Sequence, residues 1–106
     1  MSAQMFVTVA EGLTLHAAFA AAVAEAQWEH GHGGCTGTIA EKDSVCEISP
    51  LRPQMSDNEK LAWALSLLTD EDAVPRALDW VLDKWSPAAA LKLSQNRWVF
   101  FGWAPA

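Results

Sequence analysis

There is no tyrosine in this chain, only two cysteines, and no lysine or arginine before Lys42. Each absence excludes something. Two thiols cannot build the disulfide framework of a small secreted domain, so Cys35 and Cys46 are read as reduced thiols. A secretory leader begins with basic residues, yet residues 1–50 hold one base against six acids. The longest uninterrupted apolar run, Ala17 to Ala24, falls far short of the ~20 residues of a spanning helix. A cytoplasmic protein without a membrane anchor is expected. Seven bases against thirteen acids, net charge −6, provide no basic stripe for phosphate backbones, which argues against direct nucleic-acid binding.

What is present describes one folded unit. The 106 residues have no repeat, low-complexity linker or charge block, so residues 1–106 form a single domain, and 51% hydrophobic content excludes disorder. Nineteen alanines take up much of that content, leaving the core to aliphatic side chains and a few large aromatics. Of the six tryptophans, Trp63, Trp85, Trp98 and one of Trp28 or Trp103 are expected inside, where aromatic burial is the default.

Local signals give the element order. Met5 to Ala10 is short and β-branched and reads as a strand. Thr14 is an N-cap for a helix running to about His30, with Gly31 as its C′ residue. Leu15, Phe19, Ala22, Val23, Ala26 and His30 share one face of that helix; Ala17, Ala20, Ala21 and Ala24 form a smooth back that another element is expected to cover. Thr38–Ala40 and Ser44–Ile48 read as short strands about a turn at 41–43. Ser56 to Glu59 is a capping box that starts a helix through Leu61, Leu65 and Leu68. A third helix restarts at Thr69, with Asp70, Glu71 and Asp72 at its positive end and Pro75 near its first turn, and Leu78, Val81, Leu82 and Trp85 form its apolar stripe. Ala89–Leu93 and Trp98–Trp103, joined by a turn at 94–97, read as a hairpin. The order β-α-β-β-α-α-β-β predicts an α+β domain, an antiparallel sheet packed by about three helices.

Two regions carry candidate chemistry. The glycine-rich stretch Gly31, His32, Gly33, Gly34, Cys35, Thr36, Gly37, Thr38 offers open backbone N–H groups, two hydroxyls and the nearby Lys42 as a cradle for phosphate or another small ligand. It lacks the Gly-Lys-Ser/Thr of a phosphate loop and follows a helix instead of opening one. His30, His32, Cys35 and Cys46 have the right types for zinc but not a common structural spacing. Nucleophilic chemistry would use Cys35 with His30 or His32, and acid–base work Glu29 or Glu41, but no third orienting group is evident. No cofactor, metal or catalytic set is therefore expected. The second region is acidic. Asp70, Glu71 and Asp72 lead into a helix on which Trp80, flanked by Asp79 and Asp83, lies off the apolar stripe. A tryptophan among carboxylates suits docking on a basic surface of a protein or nucleoprotein complex.

The stretch Trp28-Glu29-His30-Gly31-His32-Gly33-Gly34-Cys35-Thr36-Gly37-Thr38-Ile39-Ala40-Glu41-Lys42, with Lys84-Trp85-Ser86-Pro87-Ala88 and Trp98-Val99-Phe100-Phe101-Gly102-Trp103-Ala104, resembles small uncharacterised proteins of bacteria, phages and plasmids. The chain departs from that group at Cys35, where an aromatic is expected, which weakens the zinc and thiol readings. The resemblance carries no activity and implies a mobile-element setting. With the acidity and small size, it leads to an expected inhibitor of a host defence complex, of the anti-CRISPR or anti-restriction kind. The alternative is a ligand-binding or small enzymatic domain built on residues 31–38 and Lys42.

Overall fold

The computed structural model describes residues 2–106. The fold is α+β, as expected, with helices on both faces of a four-stranded sheet. The strands are β1 (Ala3–Glu11), β2 (Val45–Glu47), β3 (Ala88–Lys92) and β4 (Arg97–Pro105). Their order is β1-β4-β3-β2. The first and last strands pair antiparallel along nine positions, from Ala3 with Pro105 to Glu11 with Arg97. β3 and β4 form the expected hairpin, and its turn places Gln95 and Asn96 at φ 60° and 56°.

The sheet is mixed, not antiparallel throughout. β2 runs parallel to β3, because the chain between them contains a whole helix and crosses over, as parallel neighbours require. The expected strand at Thr38–Ala40 is instead a 3-10 turn, Ile39–Glu41. Its cause is local: the Thr38 hydroxyl accepts the Ala40 N–H at 3.2 Å, so the backbone curls and drops Ile39 into the core.

Helix α1 (Leu15–His30) begins and ends as its sequence specifies. The Thr14 hydroxyl accepts the Ala17 N–H, and Gly31, at φ 82°, donates to the Gln27 carbonyl at 2.8 Å. Its buried centre is Ala18, Ala22 and Ala26, flanked by Leu15, Phe19 and Val23. Those small side chains bring the helix close to the sheet. A Cβ on Gly12 would lie 2.4 Å from the Ala18 backbone nitrogen, so the approach needs glycine there. The phase differs from expectation at the end, where His30 is exposed and joins no core. Nothing among the described residues covers Ala17, Ala20, Ala21 and Ala24, all exposed, and Trp28 beside them is 89% exposed.

Helix α2 (Asp57–Thr69) starts with the capping box, the Ser56 hydroxyl and Glu59 carboxylate exchanging bonds with each other's backbone N–H. Asp57 then ties this end to the hairpin turn. It accepts the Ser94 N–H and hydroxyl and an Arg97 ion pair at 2.7 Å. The expected third helix is a 3-10 helix, Arg76–Leu82, preceded by a 3-10 turn at Glu71–Ala73. It stops at Leu82, leaving Trp85 outside, 68% exposed instead of in the core.

β4 explains the layering. Trp98, Phe100 and Ala104 join the α1-face cluster, while Val99 and Phe101 join Leu67, Leu68 and Val81 on the other face. A strand buried on both sides reads as an uninterrupted apolar run, and Trp98 to Trp103 is one.

Candidate functional site

The glycine-rich loop is organised around a carboxylate of its own. Glu41 Oε2 accepts the Thr36 hydroxyl at 2.7 Å and the Thr36 N–H at 3.2 Å, and the Thr36 and Thr38 hydroxyls are 2.9 Å apart. Partial burial raises the Glu41 pKa, but the bonds from Thr36 and from the Cys35 backbone outweigh it and hold the carboxyl below its ordinary 4.5. The donors offered to an anion are thus already turned toward a negative charge. A small cavity of about 80 Å³ between Gln27, Gly31, His32, Gly34 and Ala40 has Glu41 in its wall as well.

Lys42 is not brought to this loop. It is the one buried charged residue among those described, and its ammonium donates to the carbonyls of Lys84 and Ser86 at 3.0 and 2.7 Å. Burial pushes its pKa below 10.5, partly offset by Asp83. Its position makes it a clamp between the Ile39–Glu41 turn and the segment leading into β3.

The glycines divide in role. Gly31, Gly34 and Gly37 have φ of 82°, 79° and 71°, whereas a Cβ on Gly33 would meet open space. Gly37 is the critical one. It donates to the Pro105 carbonyl at 2.8 Å, and a Cβ there would come within 2.6 Å of the Gln4 side chain and 3.2 Å of Ala106. The loop's far end is therefore pinned to the junction of β1 and β4. Cys35 and Cys46 are both exposed and neither is in a disulfide. Among the described residues, no three His, Cys, Asp or Glu side chains come together as a metal site, and His30 meets only Glu29, at 3.7 Å.

The acidic region is more open. Asp70, Glu71, Asp72, Asp79 and Asp83 are all exposed. The Asp70 and Asp83 carboxylates accept backbone N–H groups of Asp72 and Trp85, capping their own turns. Glu71 borders a groove with Met5, Leu68, Leu82 and Trp103. Trp80 is half-buried, not a free-standing anchor, because it packs on the α2-face cluster. Its remaining surface lines a different groove of about 530 Å³, with Trp63, Pro50, Leu51, Pro75 and Glu47. Trp63, expected inside, is instead half-buried in the groove wall, while Pro50 and Leu51 are not expected from the sequence to line a site. The sequence signal for Pro50 and Leu51 is the pair of prolines, Pro50 and Pro53, around a leucine, which marks a connector as readily as a groove wall.

Compared with protein-family models, curated proteins and solved structures, the chain matches none. No helix among the described residues is long and apolar enough to cross a membrane.

Proposed function

We propose that this is a small acidic protein-binding domain that docks on a basic surface of a protein or nucleoprotein complex. The supporting observation is the groove between Trp63 and Trp80, walled by Pro50, Leu51 and Pro75 and bordered by the exposed Glu47. Two half-buried tryptophans in a groove with Glu47 combine an apolar anchor with charge that selects a basic partner. The net charge of −6 adds long-range steering toward such a partner. The finer reading is an inhibitor of a host defence complex, of the anti-CRISPR or anti-restriction kind. Its support is the resemblance to small phage and plasmid proteins.

The test is a capture experiment from host lysate with the unmodified protein, Trp80→Ala and Asp79→Lys/Asp83→Lys side by side, at rising salt. A nucleic-acid-handling complex retained by the unmodified protein and lost by both variants is the expected result. Capture at full strength by the charge-reversed protein, without salt dependence, removes the reading.

A further inference from the structure

We infer that the free edge of β1 is a second docking site, apart from the Trp63–Trp80 groove. It takes an extended segment whose side chains alternate between apolar and basic, added as a fifth strand. β1 is the outer strand of the sheet order, and nine residues is long for an edge. Gly12 N–H donates to the Asn96 carbonyl at 2.9 Å and Ala106 N–H to the Ser2 carbonyl at 3.1 Å. In the β1–β4 register, the even-numbered residues of β1 therefore hold the bonds to β4. Ala3, Met5, Val7, Val9 and Glu11 turn their N–H and C=O groups outward, toward no other strand among the described residues.

Natural edges are usually blunted by proline, a bulge, an inward charge or a short span. β1 has none of these. From Ala3 to Ala10 it holds no charge and no proline, and its register runs without interruption. Met5, Val7 and Val9 are 39%, 42% and 43% exposed, a row of apolar side chains on one face of an open hydrogen-bonding edge. On the opposite face a groove runs between β1 and α1, and its helix wall carries Glu25 and Glu29. An added strand presents alternate residues to the two faces. Its apolar residues would extend the Met5–Val7–Val9 row, and its basic residues would enter the groove under the two carboxylates.

Charge decides between this occupant and a second copy. Antiparallel self-pairing of β1 keeps both α1 helices on the same face of the joined sheet. It would bring Glu25 and Glu29 of both copies to one seam, with each chain at −6. A basic strand finds the same carboxylates attractive.

The probe is a blocked peptide alternating valine with lysine, matched in length to β1. Its controls are the valine–glutamate peptide and a lysine–valine peptide of the same composition without alternation. On binding, the amide hydrogens of Met5, Val7 and Val9 should become protected from exchange, while those of Phe6 and Thr8 stay as they were. Affinity should fall with salt, and Glu25→Lys/Glu29→Lys should weaken it by about ten-fold or more. Val7→Pro removes an outward N–H and should abolish binding; the helix double variant tests the site without touching the sheet. Trp80→Ala should leave the peptide's affinity unchanged, which separates this site from the proposed function. Three results would each overturn the inference: equal binding of the acidic peptide, binding without protection at the odd-numbered amides, or a peptide-free dimer already protected there. The last would give the edge to a second copy.

Discussion

The two faces of the sheet are filled by opposite means. On the α1 face the helix contributes three buried alanines, and the bulk comes from the strands and Ile39: Phe6, Trp98 and Phe100, the last in an edge-on contact with Phe19 at 5.8 Å. On the α2 face the helix contributes Leu67 and Leu68, and the 3-10 segment adds Val81. A helix of alanines sits near the strands and depends on glycine wherever backbone meets backbone. A helix of leucines stands off and depends on its own volume. The first face should therefore resist enlargement and the second truncation.

The largest effects should come from truncation on the α2 face. Phe101→Ala is expected to cost about 3–5 kcal/mol and Leu67→Ala about 2–5 kcal/mol, read from denaturant midpoints. Both side chains are fully buried, so a loss below 1 kcal/mol at either would break the comparison. Enlargement on the α1 face ranks next. Ala22→Leu should destabilise by about 1–3 kcal/mol through overpacking, whereas adding the same bulk at exposed Ala21 should cost little. Gly37→Ala should lose at least ~1 kcal/mol and Gly33→Ala much less, because only Gly37 combines a positive φ with a crowded Cβ position.

Three smaller effects sharpen the picture by pH and by chemistry. The Glu41 pKa is depressed in the folded state, so its contribution is present above the ordinary 4.5 and is lost as pH falls through the folded value. Glu41→Gln should flatten that part of the acid melting curve. Lys42 works the other way: its lowered pKa means the folded state binds fewer protons than the unfolded one in the alkaline range below 10.5, and stability should rise with pH there. Trp98→Phe should stay within about 1 kcal/mol of the unmodified protein. Its buried indole N–H has no hydrogen-bond partner among the described residues, so lost packing is offset by removal of an unsatisfied donor.

Features resting on hydrogen bonds between near neighbours were legible in the sequence. The Thr14 cap, the Gly31 terminus, the Ser56–Glu59 box and the turn at 94–97 are all of this kind. The misread segments are those where a side chain overrode the pattern. Thr38 and Ile39 have strand-like side chains, but one hydroxyl bond makes them a 3-10 turn. Periodicity of 3.6 placed Trp85 on a buried stripe and Trp80 off it. The segment winds at three residues per turn and ends early, which reverses the two. Strand order and the parallel pairing of β2 had no local signal. The candidate sites were legible in composition only. Nothing in the residue pattern shows that Lys42 points away from the glycine-rich loop, or that Met5, Val7 and Val9 lie on an outer strand instead of an inner one.

Pairing the first strand with the last also governs when the fold can form. Ala3 meets Pro105 and Glu11 meets Arg97, so during synthesis β1 has no strand partner until Arg97–Pro105 has emerged. Long-range closure of this kind slows folding. Until closure, the inner edge of β1 is as open as its outer one, and the side chains of Met5, Phe6, Val7 and Val9 lack their β4 neighbours, in a segment without proline or charge between Ala3 and Ala10. The nascent chain is then most prone to aggregate, and holding β1 apart until β4 arrives is the step that chaperones or slow translation would favour.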